Sequence, residues 1–220
     1  ISGLMLKRAS IGLTAGKDGT RSWQFKEGVL AEAAAGRFDK PMPVKTIRLV
    51  DGTIRYSDSS DNAAGYTTAV AVDDVTFAWA GRSDAMSAAG QIKWREREAE
   101  IAVALADPAS VIAGGKSDIR ARVKGDMLNL SASGMLDGEG RMEGKVSASG
   151  TSLRDTLRWL GLGLPAGHSL AAYDLQSPLT LDNAAVSLNE VQLSPDGNEA
   201  EGSLTVEFSG LAVSLGFDVD

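Results

Sequence analysis

Apolar residues fall on every second position through most of this 220-residue chain. A β-strand sends successive side chains to opposite faces, so this spacing gives each strand one aliphatic face and one polar or small-residue face. The clearest example is the run Leu211, Val213, Leu215, Phe217 and Val219. The pattern recurs along the chain and predicts a long antiparallel sheet with a single apolar face.

The alternation changes phase at two short acidic points. It runs in one phase up to Leu49 and in the other from Ile54, with Asp51-Gly52 between them, and it changes again between Val72 and Val75. A slip of one residue moves every side chain of a strand to the other face. The sequence therefore predicts a bulge or a turn at each point, and together the two points indicate a bend across long strands.

Two short helices are predicted to interrupt the meander of strands. Asp107 suits a helix N-cap, and Pro108 suits the first helical position, where no amide hydrogen is required. Ser152 is predicted to cap a second helix, in which Leu153 and Leu157 lie on one stripe. A helix of about ten residues is not stable alone in water. We therefore expect it to lie on the sheet and to plug one end of the apolar face.

Charge and residue content exclude several classes of function. The formal net charge of −7 and a pI near 4.8 disfavour nucleic acid as a partner, because binding a phosphate backbone requires a basic surface. The absence of cysteine excludes thiol catalysis, disulfides and thiolate metal sites. No apolar run approaches the ~18 residues of a membrane span. Because the chain begins at Ile1, we expect a further segment ahead of it.

Residues able to do chemistry are few, and each has a structural explanation. His168, the only histidine, follows a glycine-rich loop and would need a carboxylate and a nucleophile nearby to act as a base, so we expect a solvated loop histidine. Asp73 and Asp74 are successive strand residues, so they point to opposite faces and converge poorly on a metal. The Gly-Gly-Lys-Ser segment at 114–117 lacks the earlier glycine of a phosphate-binding loop, because Ser110 stands there. We expect no enzyme activity, no catalytic residues, no metal and no cofactor.

Four sequence features follow one another in a specific order. They are the strand with an acidic-glycine break that ends at Tyr56-Ser57-Asp58, the segment Val72-Asp73-Asp74-Val75, the late helix from Ser152 to Gly161, and the closing repeat with Asp196-Gly197-Asn198 and Ala200 to Leu204. Their order and spacing matter most, since Asp-Gly turns alone are common. Taken together, they resemble the C-terminal region of AsmA-family proteins over most or all of the chain.

The resemblance implies a periplasmic protein that supports outer-membrane biogenesis and is anchored to the inner membrane by a segment absent from this chain. The family is related to bridge-like lipid transfer proteins, whose sheet forms a long apolar groove. We therefore expect an all-β fold, a strongly curved antiparallel meander folded into a groove, with one or two short helices. Residues 1–45 would form N-terminal strands and a connection of a larger sheet, and residues 46–220 the AsmA-like C-terminal β domain.

The expected ligand is a phospholipid or another acyl lipid, held by aliphatic side chains without catalysis. Headgroups would meet the stripe Arg120, Arg122 and Lys124 at the mouth of the groove, although an exposed sheet face also explains that stripe. The candidate groove residues are Ile119, Val123, Leu128, Leu130, Val146, Leu204, Val206, Phe208, Leu211, Val213 and Leu215. The alternative is a structural or assembly module, whose aliphatic rows form the packed core of a sandwich or barrel and whose surface docks an envelope protein.

Overall fold

A computed structural model describes residues 3–16, 22, 44–58, 66–81, 84–160, 171–182, 185–195, 199–207 and 213–218. Its strands are β1 Gly3–Lys7, β2 Ser10–Ala15, β3 Thr46–Asp58, β4 Tyr66–Trp79, β5 Met86–Trp94, β6 Arg97–Leu105, β7 Lys116–Gly125, β8 Asn129–Asp137, β9 Met142–Gly150, β10 Tyr173–Leu181, β11 Ala185–Pro195, β12 Ala200–Glu207 and β13 Val213–Asp218. Its helices are α1 Pro108–Ile112 and α2 Leu153–Leu160.

The described strands form one open sheet, in which each strand from β3 to β13 pairs antiparallel with its neighbour in sequence. This confirms the predicted all-β antiparallel meander with two short helices. The first two strands differ, because β1 and β2 both pair parallel to β3, one after the other along its length. Parallel pairing requires a long connection rather than a tight turn, and the alternation of residues gave no sign of it.

The strand register separates two faces that run across the whole sheet. Val123 of β7 lies opposite Ile101 of β6 and Leu130 of β8, and Leu130 lies opposite Ala148 of β9. We call the side that carries these aliphatic residues the apolar face. The intervening positions, such as Arg122 with its cross-strand neighbours, form the polar face.

Of the two predicted irregularities, the bulge between Val72 and Val75 is confirmed, and the strand at Asp51 continues without a turn. β3 continues through Asp51, which adopts a left-handed conformation with φ of 52°. The register of β4 with β5 shifts by one residue between Val72 and Asp74, which marks a bulge. Gly90 of β5 has φ of 152°, and a Cβ atom there would overlap the carbonyl of Asp74. Only glycine therefore permits β5 to approach the bulge this closely.

Both described helices begin where the sequence predicts. The Asp107 carboxylate accepts a hydrogen bond from the Ser110 amide at 3.0 Å, so it caps α1. The Ser152 hydroxyl accepts a hydrogen bond from the Asp155 amide at 3.2 Å, so it caps α2. Gly114, with φ of 86°, follows the end of α1. Local capping chemistry thus decides where each helix starts.

Candidate functional site

The apolar face is half-exposed along the central strands. We define the open stretch as the aliphatic residues of this face on β6, β7 and β8 that are neither buried nor fully exposed. They are Ile101, Val103, Ile119, Ala121, Val123, Leu130, Ala132 and Leu136. Side chains in a sealed core would be almost wholly excluded from solvent. The open stretch therefore presents aliphatic surface that a ligand can still cover.

The same face is packed along the strands that follow. We define the packed stretch as the buried hydrophobic residues of this face on β9, β10 and β11, namely Met142, Val146, Tyr173, Leu179, Leu188, Val191 and Leu193. Val191 is only 1% exposed. These residues form one cluster with Leu128, Leu153 and Leu157. Several residues of the open stretch border that cluster, so the two stretches are continuous.

Helix α2 lies at one end of the apolar face, where polar contacts fix it to two strands. The Thr156 hydroxyl donates a hydrogen bond to the carbonyl of Met127, just before β8, at 3.0 Å. The Tyr173 hydroxyl, at the start of β10, donates to the Thr156 hydroxyl at 3.3 Å. Leu153 and Leu157 are buried on the same side of the helix. The helix therefore packs its apolar stripe against the sheet, as the sequence predicts.

The C-terminal turn of α2 reaches back to the turn between β5 and β6. The Trp159 indole nitrogen donates a hydrogen bond to the carbonyl of Trp94 at 3.1 Å, and the two rings meet edge to face with centroids 5.0 Å apart. Arg95 donates to the carbonyl of Trp159 at 2.7 Å and lies over the Trp94 ring. A helix C-terminus leaves carbonyls without intrahelical partners, and Arg95 satisfies one of them.

Burial perturbs one ionisable group at this end of the face. The buried ring of Tyr173 raises the pKa of its hydroxyl, because the charged phenolate would lose hydration there. The hydrogen bond to Thr156 acts in the opposite direction and is the smaller effect. The hydroxyl is thus held as a neutral hydrogen-bond donor, which is a structural role.

Sequence reasoning missed the junction between the two tryptophans. The signal was present, since Trp94 ends a strand on the apolar face and Trp159 lies at the end of an amphipathic helix. Only the folded chain brings these two positions together, because 65 residues separate the bonded groups.

The predicted groove residues lie as follows. Ile119, Val123 and Leu130 are half-buried in the open stretch, Val146 is buried in the packed stretch, and Leu128 is buried in the core cluster beside α2. Leu204 is half-buried in β12 and pairs with Leu215 of β13, while Val206 pairs with Val213. Phe208 and Leu211 lie outside the described residues.

The predicted cationic residues lie on the other side of the sheet. Arg120, Arg122 and Lys124 are exposed on the polar face, one residue out of step with Ile119 and Val123. Arg120 and Arg122 border a hollow of about 970 Å³ that residues from seven successive strands, β5 to β11, line. Lys124 and Arg122 border a neighbouring hollow of about 290 Å³. These side chains therefore do not stand beside the aliphatic candidates.

The lining residues show which face carries the large hollow. On β5 to β8 they occur in runs of three, such as 102–104 and 120–122, with an apolar-face residue in the middle. Both flanking positions of each run belong to the polar face, so the hollow lies on that side. We call it the polar hollow.

The motifs that the sequence analysis weighed for catalysis or metal binding have structural roles wherever they fall within the described residues. Asp74 accepts a hydrogen bond from the Arg48 Nε at 2.8 Å, and this bond lowers the pKa of the carboxyl. The Ser117 hydroxyl accepts a hydrogen bond from the Asp107 amide at 2.7 Å, which ties β7 to the start of α1. His168 lies outside the described residues. Within the described ranges, acidic residues and histidines form no group of three or more that is able to hold a metal ion.

Comparison with known proteins gives no assignment. No protein-family model, curated protein or solved structure matches the chain. Neither described helix has the length and hydrophobicity that a membrane crossing requires.

Proposed function

We propose that this chain handles phospholipid in the periplasm without catalysis, in support of outer-membrane biogenesis, and that acyl chains lie along the open stretch. The observation that supports this proposal most is the half-exposed state of Ile101, Val103 and Val123 in the middle of an otherwise regular sheet. The resemblance to the AsmA family points the same way, including the inner-membrane anchor expected in the full-length protein.

Burial of hydrocarbon supplies the driving force for such binding. Each methylene removed from water contributes about 0.8 kcal/mol, so covering ten methylenes contributes about 8 kcal/mol before the cost of ordering the chain. Aliphatic walls make no hydrogen bonds to a tail, so they discriminate weakly between chains of different length. We therefore expect the open stretch to accept several acyl chains rather than one lipid species.

Helix α2 limits where a tail can lie. Beyond the open stretch, Leu128, Leu157 and Val191 are buried, and the cavity between Trp159 and the start of β8 has a volume of about 10 Å³. A methylene chain needs far more space than this. In this proposal the tail ends against α2, and the packed stretch acts as a rigid support.

The test is to place a charge in the open stretch and measure bound lipid. We expect Val123→Asp to reduce the phospholipid that the chain takes up from vesicles of phosphatidylethanolamine and phosphatidylglycerol at least fivefold, measured by native mass spectrometry. The carboxylate would have to lose its hydration against a hydrocarbon tail, which is costly. Val123→Trp should have a similar effect, because its ring fills the same space without adding charge.

Ala102→Asp is the matched control. Ala102 lies on the neighbouring strand but on the polar face, so the same charge is added within one strand of Val123. Lipid uptake should be unchanged in this variant. Circular dichroism of all three variants establishes that the sheet is retained. Equal lipid uptake by the wild type, Val123→Asp and Val123→Trp would exclude the open stretch as the binding surface.

The packed stretch favours a second candidate, a structural or assembly module. Its buried cluster of Met142, Tyr173, Leu193 and their neighbours is a core that needs no ligand. In that case the apolar face stabilises the sheet, and the surface docks an envelope protein. Native mass spectra of freshly purified chain separate the candidates, since a module of this kind carries no phospholipid before or after exposure to vesicles.

A further inference from the structure

The polar hollow gathers positive charge in a chain that is acidic overall. Arg120 and Arg122 of β7 and Lys145 of β9 line it, whereas the whole chain has a formal net charge of −7. Arg120 lies opposite Ser133, and Ser133 lies opposite Lys145. Neighbouring strands are about 4.8 Å apart, so the Cα atoms of Arg120 and Lys145 are roughly 10 Å apart. The three cations therefore surround one part of the hollow.

These cations have small, neutral neighbours where partners would be expected. Arg120 lies between Ala104 and Ser133, and Arg122 lies between Ala102 and Ser131. Opposite charges at such cross-strand positions stabilise a sheet, and carboxylates would be the ordinary choice there. Alanine and serine instead leave space above the sheet between the cations.

Three other exposed arginines of the described residues are paired. Arg48 bonds Asp74, Arg141 bonds Asp137 and Glu139, and Arg158 bonds Asp155. The side chains of Arg120, Arg122 and Lys145 make no ion pair or hydrogen bond with the described part of the chain. Glu190 is the one carboxylate among the residues that line the polar hollow within the described ranges. The charge there is consequently available to an anion from outside.

Hydroxyl and amide groups complete the lining. Among the small and apolar residues of the lining are serines and glutamines, at Ser87, Ser131, Ser133, Ser147, Gln176 and Gln192. Such groups both donate and accept hydrogen bonds, so they suit sugar hydroxyls. The volume of about 970 Å³ lies at the upper end of the range for small-molecule sites.

We propose that the polar hollow binds a phosphorylated saccharide. Arginine binds phosphate through two parallel hydrogen bonds, and Arg120 and Arg122 stand two residues apart on one strand face. Lys145 would contact a second anionic group across the hollow, while the serines and glutamines would contact the sugar hydroxyls. This proposal does not depend on lipid binding, because it concerns the opposite face of the sheet.

The test measures binding of glucose 1,6-bisphosphate by isothermal titration calorimetry, alongside glucose, inorganic phosphate and nanodiscs of phosphatidylglycerol. We expect the sugar bisphosphate to bind at least tenfold more tightly than inorganic phosphate, and glucose to bind undetectably. The double variant Arg120→Gln/Arg122→Gln should weaken binding of the sugar bisphosphate at least tenfold. Lys145→Gln should weaken it by a smaller factor.

Lys93→Gln/Lys116→Gln is the matched control. It removes two exposed cations from the polar face at positions outside the lining of the hollow. It should leave binding of the sugar bisphosphate unchanged. An equal loss of binding in this control would mean that overall charge, and not the hollow, determines binding, and would overturn the site. If nanodiscs bind in a way that depends on Arg120 and Arg122 and the sugar bisphosphate does not bind, the ligand is a lipid headgroup and the saccharide proposal is overturned. If neither the sugar bisphosphate nor the nanodiscs bind, the proposal is overturned.

Discussion

The open and packed stretches are made from one sheet with one residue pattern, yet they differ in burial. In the packed stretch most residues are large, with three leucines, Met142 and Tyr173 beside two valines, and α2 lies against one end of it. In the open stretch two isoleucines and two leucines are interspersed with alanines and valines, and the side chains stay half-exposed. Alternation therefore predicts which face is apolar, while side-chain size and the position of α2 determine how much of that face is covered.

A bulge contributes to this difference. The register of β10 with β11 shifts after Gln176, and Glu190 opposite the shift has φ of 57°. The buried hydroxyl of Ser177 lies 2.8 Å from the carbonyl of Asn189, so a polar group of the bulge is satisfied inside the sheet. Bulges increase the local twist of a strand. The central strands β6 to β8 pair without any such shift.

The largest expected effect is on the free energy of unfolding. The comparison fails if side chains of the two stretches contribute equally to it. Leu157→Ala removes a buried side chain of the core cluster, which should cost about 2 to 5 kcal/mol of unfolding free energy. Val103→Ala removes a half-exposed side chain of the open stretch and should cost less than about 1 kcal/mol. Urea denaturation followed by circular dichroism measures both values.

Val191→Ala gives the closest comparison with Val103→Ala. The chemical change is the same, but Val191 is buried in the packed stretch and Val103 is half-exposed in the open stretch. Val191→Ala should shift the urea midpoint clearly more than Val103→Ala does. Equal shifts would mean that the open stretch is as well packed as the core, and the surface offered to lipid would then be absent.

A smaller effect is expected at the junction of α2 with the β5–β6 turn. Trp159→Phe keeps an aromatic ring but removes the hydrogen bond to the Trp94 carbonyl, at a cost of about 1 kcal/mol. Amide hydrogen exchange should quicken in α2 and leave β7 unchanged, since the junction holds only the helix end. Arg158→Gln, a change on the same turn with an exposed side chain, serves as the control. Faster exchange throughout β7 would show that α2 also stabilises the open stretch.

Much of this fold could be predicted because its signals are local. Caps at Asp107 and Ser152 fix the helix starts, and the phase change between Val72 and Val75 anticipates the bulge in β4. The parallel pairing of β1 and β2 could not be predicted, since it depends on a contact between strands about 40 residues apart. Lipid handling and the AsmA resemblance remain predictions.

The candidate site was predictable only in part, for a physical reason. Arg120 follows Ile119 directly, so alternation alone places these two side chains on opposite faces, and the stripe belongs to the polar face from the outset. Which face is concave is a different matter. Concavity depends on the twist and coiling added up over many strands, and no single residue records that sum. The hollow beside Arg120 therefore became visible only in the folded sheet.

The smallest expected effect concerns Asp137, at the turn that joins the last strand of the open stretch to the first strand of the packed stretch. Its carboxylate accepts hydrogen bonds from the amides of Arg141 and Glu139 and from the Arg141 guanidinium, and these bonds lower its pKa. A lowered native pKa means that the stabilisation is present above the ordinary value of about 4 and is lost as the pH falls through the lower native value. Asp137→Asn should therefore shift the urea midpoint slightly at pH 7, and this shift should narrow as the pH approaches 2.5. A shift of constant size across that range would mean that the amide replaces the carboxylate poorly for steric reasons, and that the charge of Asp137 does not stabilise the turn.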